Sequence, residues 1–265
     1  MSSSTFESLN YETSDRQVSW RGISLIDCGD FDSFMTKDVS SRLYDTEEAS
    51  QFKTTLRSLA TTGFAEKSLE EILAAESLEE RDWAVGEALA EAYLAHRHNV
   101  TWPWNTERDK RTPKASLPGA DLIGFEIDGQ NVRLALGEVK TSGETETPPG
   151  VMKGRSGMKH QIDSLATDLG VILQLLKWLL SRCKGNEHEA SFKVAVKLFL
   201  ESGNKAIALF GVLIRDTSPN ELDLKARGQA MARTMNAPTT CQLLALYLPL
   251  SIASLPEKVS GGKPK

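Results

Sequence analysis

The sequence predicts an α/β protein, a mixed β-sheet core flanked by helices. Three observations predict it. Residues 118–142 read as an apolar-alternating hairpin. Residues 206–216 and 241–250 read as buried apolar strands. Stretches with apolar residues at helical spacing lie before, between and after these strands.

Taken in order, residues 1–17 are rich in Ser, Thr and Glu and are expected to be mobile. Val18, Trp20, Ile23 and Leu25 carry short apolar alternations, so 18–34 is expected to hold one or two strands. Three helices are expected over 47–60, 69–75 and 79–94, with Ser68 and Glu71 three residues apart as a capping box for the second. Residues 1–78 therefore read as a mostly helical N-terminal extension, 79–252 as the core and 253–265 as a flexible tail. The loop 143–160 contains Pro148-Pro149 and glycines 150, 154 and 157, and it lacks the G-x-x-x-x-G-K-[ST] spacing of a P-loop. A single amphipathic helix is expected over 158–182, with Ile162, Leu165, Leu169, Ile172, Leu176 and Leu179 on one stripe. Residues 192–200 and 206–216 are expected as a strand hairpin, 219–235 as a helix and 241–250 as a last strand.

Composition limits the function. The chain has 265 residues, enough for a full core, and its three cysteines are too scattered for a disulfide framework or a zinc knuckle. A reducing cytoplasm is the expected compartment. The N-terminal residues lack the apolar core of a signal peptide, and the most apolar helical run, 171–180, is short and interrupted by Lys177, so no membrane span is expected. Net charge is −5, whereas a protein that grips DNA unaided is usually basic over its contact surface. Basic residues cluster locally, at Arg108, Lys110, Arg111 and Lys114 and at Lys153, Arg155 and Lys159. This balance points to an enzyme brought to its substrate by something else.

The hairpin carries the chemistry. Asp121, Ile123, Phe125 and Ile127 fall on one face of its first strand, and Val132, Leu134, Leu136, Glu138 and Lys140 on the same face of its second. A turn centred on Gly129-Gln130 pairs residue 127 with 132, 123 with 136 and 121 with 138. A turn centred on Asp128-Gly129 shifts the register by two and leaves the two carboxylates as diagonal neighbours. In both registers two acids and a lysine gather at the open end. Carboxylates about 5 Å apart repel by roughly 3 kcal/mol at an effective dielectric near 20, which a divalent cation relieves. The alternative is a solvated strand end with an ordinary Glu–Lys pair.

An acid, a gap and then Glu138-Val139-Lys140 on the second hairpin strand resembles the PD-(D/E)XK nuclease superfamily, the restriction-endonuclease-like fold. The proline stands at Pro118, separated from Asp121 by Gly119-Ala120, so that half of the motif is degenerate, while Glu-x-Lys is intact. Many members carry a glutamate on a preceding helix and some a glutamine on the following one; Glu87 and Gln161 occupy those places. The resemblance spans roughly residues 83–180. It implies that Asp121 and Glu138, with the Val139 carbonyl and Glu87, hold Mg²⁺ or Mn²⁺, and that Lys140 orients the attacking water. Gln161 would bond the lysine, the water or a phosphate. Glu91 shares a helix face with Glu87 and is its rival for the same role. The length and N-terminal extension also resemble the nuclease subunit of Hachiman-type anti-phage systems. That resemblance implies a DNA-degrading effector held in complex with a helicase/ATPase partner. A degenerate nuclease fold serving as an interaction subunit is the other reading.

Two further motifs stay open on sequence alone. His96 and His98 end the third predicted helix and are expected to interact with its dipole. Trp102-Pro103-Trp104, beside the first basic run, either stacks nucleic-acid bases or packs as a small cluster.

Overall fold

A computed structural model of the chain describes residues 6–75, 82–110, 119–129 and 131–261. Strands β1 (Glu7–Asp15) and β2 (Val18–Leu25) form an antiparallel hairpin. A helical run follows: α1 (Gly29–Ser33), a π-helical stretch (Phe34–Val39) and α2 (Ser40–Tyr44). Next come α3 (Thr46–Leu59), α4 (Gly63–Ala74) and α5 (Asp82–Arg97). The short β3 (Val100–Thr101) precedes β4 (Leu122–Asp128) and β5 (Asn131–Ser142). Helices α6 (Met158–Thr167), α7 (Leu169–Cys183) and α8 (Glu189–Glu201) lead to β6 (Ile207–Arg215). The chain ends with α9 (Lys225–Ala232), β7 (Thr240–Tyr247) and α10 (Leu255–Ser260).

All strands join one mixed seven-stranded sheet, in the order β1-β2-β7-β6-β5-β4-β3. The pairs β2–β7, β7–β6 and β6–β5 are parallel, and the three pairs toward the edges are antiparallel. Every residue of the central β6 is buried, as a strand covered on both faces requires. Alternation divides the core in two. On one face Ala135, Val139, Phe210, Val212 and Leu244 pack with Val85 and Leu89 of α5. On the other, Leu134, Leu136, Leu209 and Leu213 pack with Met158, Ile162 and Leu165 of α6.

The β4–β5 register is the one with a turn at Gly129-Gln130: Ile127 pairs with Val132 and Ile123 with Leu136. Gly129 takes φ +60°, a left-handed conformation that glycine adopts without strain; Gln130 lies outside the described residues. Gly86 sits where a Cβ would meet Thr141 Oγ1 at 2.2 Å, so α5 approaches β5 at close range.

Several expectations need correction. Residues 7–15 are a strand, not a mobile segment: β1 is polar because it is an edge strand whose side chains mostly face solvent. Within the stretch read as an N-terminal extension, α1–α4 are helical, and the hairpin ahead of them joins the core sheet, since β2 extends it through β7. Helix α4 begins at residue 63 and is capped by Thr62, whose side chain accepts from the Ala65 N–H, so Ser68 and Glu71 are not its capping box. The expected single helix over 158–182 is two, bent by 79° at Asp168, whose carboxylate caps α7 through the Gly170 and Val171 N–H groups. Residues 192–200 are not a strand but lie within α8, with Ala195 and Phe199 buried one turn apart. Residues 253–265 are not a flexible tail throughout, because α10 buries Leu255 and Val259. Among the described residues no single helix is long and apolar enough to cross a membrane. The expected helix start at residue 79, Pro118, Arg111 and Lys114 lie outside the described residues.

Candidate active site

The hairpin sets the geometry. The last β4–β5 ladder pair is Leu122 with Gly137, and one step beyond it Asp121 faces Glu138. Ladder bonding stops there, and the Asp121 carboxylate takes over: its Oδ2 accepts from the Val139 N–H at 2.8 Å. A strand residue's N–H and C=O project to the same side, so the Val139 carbonyl points to this same open edge. Lys140, two residues beyond Glu138 and on the same face, donates from Nζ to Glu138 Oε1 at 2.7 Å. Glu138 is buried and Lys140 half-buried.

Electrostatics at the site is strained toward protonation. Burial pushes the Glu138 carboxyl up to about 8, the Asp121 charge beside it adds to this, and Lys140 opposes it. Glu87 is likewise raised to about 8, first by burial and then by Asp121, with Lys110 opposing. Asp121 thus feels one glutamate from each side. Glu138 and Lys140 share the β5 face covered by α6, whereas Glu87 comes from α5 on the opposite face. Glu91, one turn further along α5, is buried, lies 3.9 Å from Arg42 and is raised to about 7, mainly by that burial. It faces Arg42 and not the Asp121–Glu138 pair, which removes it as a rival to Glu87.

Gln161 lies in the first turn of α6. Glycine at 211, the ladder partner of Glu138, lets that turn settle on the sheet: a Cβ there would meet Ile162 Cδ1 at 2.7 Å and Met158 Sδ at 2.8 Å. The Gln161 Oε1 atom is buried with no hydrogen-bond partner, an unsatisfied acceptor on the face that carries Glu138 and Lys140.

The donor set is all oxygen. Among the described residues no group of three or more His, Cys, Asp or Glu side chains is arranged to hold a metal. The set that can is smaller: the Asp121 and Glu138 carboxylates with the Val139 carbonyl. Two carboxylates plus water and substrate oxygens suit Mg²⁺ or Mn²⁺, and a cation between them would relieve the charge crowding that raises Glu138.

Residues outside the motif also matter. Lys110, read in the sequence as part of a basic run, has a side chain only 5% exposed, paired with Glu107 and 5.0 Å from the Trp83 ring centre. Arg108 is bound to Asp45. Arg108 and Lys110 are therefore engaged within the fold. Trp102 is buried and donates to the Glu91 carbonyl at 2.8 Å, so it packs in the core, while the half-buried Trp104 ring has the guanidinium groups of Arg108 and Arg182 at 4.9 and 5.7 Å from its centre. His98, packed near Tyr93 and Phe210, is lowered to about 4 by burial and is neutral at pH 7, so it is not a charged partner for the α5 dipole. Gly211 is the residue whose signal was in the sequence, an isolated glycine inside an apolar strand marking close approach. Comparison of the sequence with protein-family models and with curated proteins finds no match.

Proposed function

We propose that this chain is a metal-dependent phosphodiester hydrolase acting on DNA, with a restriction-endonuclease-like core. The observation that carries the reading is the set Asp121, Glu138 and Lys140 at the open end of β4–β5, beside the first turn of α6. Asp121, Glu138 and the Val139 carbonyl would hold Mg²⁺ or Mn²⁺, and Glu87 would bear on Asp121 from the other face. A metal bound there would supply Lewis acidity, lowering the pKa of water and stabilising charge on the leaving oxygen. Lys140 orients the attacking water and offsets the negative charge that builds on the phosphoryl oxygens. The water oxygen gives up a proton to solvent and bonds to phosphorus as the phosphorus–ester-oxygen bond breaks, and the departing oxygen takes up a proton from solvent. Gln161 offers its unsatisfied acceptor to the water or to Lys140.

The setting that fits is a cytoplasmic anti-phage complex in which a helicase/ATPase partner restrains and delivers the nuclease. Net charge of −5 supports delivery by a partner, as do the exposed apolar side chains of Phe52 and Leu59 on α3 and Phe64 and Ile72 on α4. The same surface favours the second reading, a catalytically degenerate nuclease-fold subunit that only binds its partner. The deciding experiment is cleavage of supercoiled and linear DNA with Mg²⁺ or Mn²⁺, comparing the wild type with the Glu138→Ala/Lys140→Ala variant, alone and with any co-purifying protein. Metal-dependent cutting that the variant loses supports the enzyme. Absence of cutting while a partner stays bound supports the interaction subunit.

A further inference from the structure

Three cationic side chains, Lys153, Lys159 and Arg227, line an open cleft of about 420 Å³ on the α6 side of the sheet, with His160 beside them and Asp163 as the one carboxylate. Asp163 is taken by Lys159. Lys153 has no ion-pair or hydrogen-bond partner among the described residues, and Arg227 makes only a 3.4 Å contact to the Met152 carbonyl, a neutral acceptor. Unpaired cations facing a concavity stand out in a chain whose net charge is −5. Two other large clefts differ: beside Trp102 and Trp104, Arg42 faces Glu91 and Arg108 is bound to Asp45, and beside α10, Lys258 is bound to Asp27 and Asp32. Of these three clefts among the described residues, the α6 one has positive charge to spare.

Its position relative to the acids follows from α6. Met158 and Ile162 face the sheet at Gly211, beside Glu138, while Lys159 and His160 in the same turn line the cleft. The α6 N-terminus adds to the field. Gly157 provides no side-chain cap, and the first turn holds no acid, so its free N–H groups favour an anion. Gly154, at φ +72°, has open space where a Cβ would stand, leaving the loop backbone approachable. The cleft lies about one helix width, roughly 10 Å, from the Glu138 side of α6.

We propose that this cleft holds a backbone phosphate of the nucleic acid next to, and distinct from, the scissile one, so that the substrate strand runs across α6 and the 152–157 loop. The inference rests on the nuclease reading above for the identity of its ligand. It commits to a polymer phosphate; free phosphate is the competing source of the same chemistry.

Binding measured without metal tests the cleft separately from catalysis. Anisotropy of short labelled single- and double-stranded DNA, in EDTA and across a salt series, compares the wild type with Lys153→Gln/Arg227→Gln and with Glu138→Gln. Thermal unfolding of each variant checks that it is folded, and the exposed Lys153→Glu variant serves if the double variant is not. The expected result is at least about a tenfold loss of affinity at low salt for the cleft variants, with the log–log salt slope of the double variant reduced by about two and Glu138→Gln still binding. Unchanged affinity and slope in the cleft variants overturn the proposal, as does a wild type that binds neither oligonucleotide at low salt. A cleft that binds inorganic pyrophosphate while its neutralisation leaves DNA affinity intact is a free-phosphate site, and this too overturns it. If cutting with Mg²⁺ is absent but the cleft variants still lose binding, the nuclease reading fails and the cleft stands. If Glu138-dependent cutting persists with binding unaffected, the reverse holds.

Discussion

Gly86 and Thr141 hold α5 against β5: a Cβ on the glycine would lie 2.2 Å from the threonine Oγ1. Gly86→Ala must therefore push the helix off the strand or twist the Thr141 side chain, and overpacking of this kind costs about 1–3 kcal/mol. Thr141 Oγ1 is itself buried without a partner, and the next obstacles, Ile214 Cδ1 and Thr141 Cβ, are both 3.4 Å away. Thr141→Ala alone should then cost little, and the double variant should recover most of the stability that Gly86→Ala loses. Urea unfolding midpoints for the four proteins check this. Additive losses would mean that the contact does not set the helix–sheet spacing.

Glu91 makes a pH prediction that is separate from catalysis. Its carboxyl is raised from 4.5 to about 7, by burial first and against the pull of Arg42. The folded state therefore holds this proton more tightly than the unfolded one. The stability it contributes is fully present below about pH 4.5 and is lost as pH rises through about 7. Glu91→Gln removes that loss, so the variant should gain on the wild type between pH 5 and pH 8, by on the order of 2 kcal/mol at the upper end. Thermal midpoints across that range are the readout, and parallel curves for the two proteins would refute the assignment.

The hairpin was legible because its two strands alternate cleanly and its turn has a single glycine that suits the position. The pairing of 123 with 136 and of 127 with 132 is one of the two registers that those allow. Asp121, Glu138 and Lys140 came with it. Glu87 was placed on the right helix, beside a glycine that does make the close contact, yet its approach from the opposite face of the sheet is a tertiary fact that periodicity does not carry. Residues 192–200 misled because Val194 and Leu200 are large apolar side chains left exposed, which fill in the gaps of the helical stripe formed by Phe192, Ala195 and Phe199. The break at Asp168 was readable in principle, since an Asp followed by Leu-Gly marks an N-cap as well as a surface position. Strand β1 was hidden by its polarity: as an edge strand it needs only backbone pairing with β2 and exposes most of its side chains.

Metal binding should show in stability as well as in activity. A cation held by Asp121 and Glu138 has to displace the proton that burial and the neighbouring charge keep on Glu138, whose carboxyl is raised to about 8. Mg²⁺ or Mn²⁺ should therefore raise the wild-type melting temperature more at pH 8.5 than at pH 6.5. Saturation at about a hundred times the dissociation constant is worth about 2.7 kcal/mol. Asp121→Asn and Glu138→Gln should abolish the shift, and EDTA should reverse it in the wild type. A metal-induced shift that survives in both variants would place the cation elsewhere.

Arg215 anchors the segment that leaves the Lys140 strand. Its side chain is wholly buried, with Nη1 donating to the Ser142 carbonyl at 3.2 Å and Nη2 to the Glu146 carbonyl at 3.0 Å. Its charge is matched by buried Asp223, 3.6 Å from Nε, and that carboxylate accepts in turn from the Tyr247 hydroxyl. Arg215→Leu leaves Asp223 without a cation and frees two carbonyls, and breaking such a buried pair costs on the order of 3–5 kcal/mol. The second effect should be local. With residues 142 and 146 released, the loop ahead of α6 should become more open to proteolysis than the rest of the chain. Arg215→Lys keeps the charge but cannot reach both carbonyls from one planar group, so it should restore part of the stability and little of the loop protection. Limited proteolysis with mapped cleavage sites, run beside urea unfolding, separates the two effects. Uniform nicking across the surface in Arg215→Lys would show that the arginine supports the core and does not hold the loop.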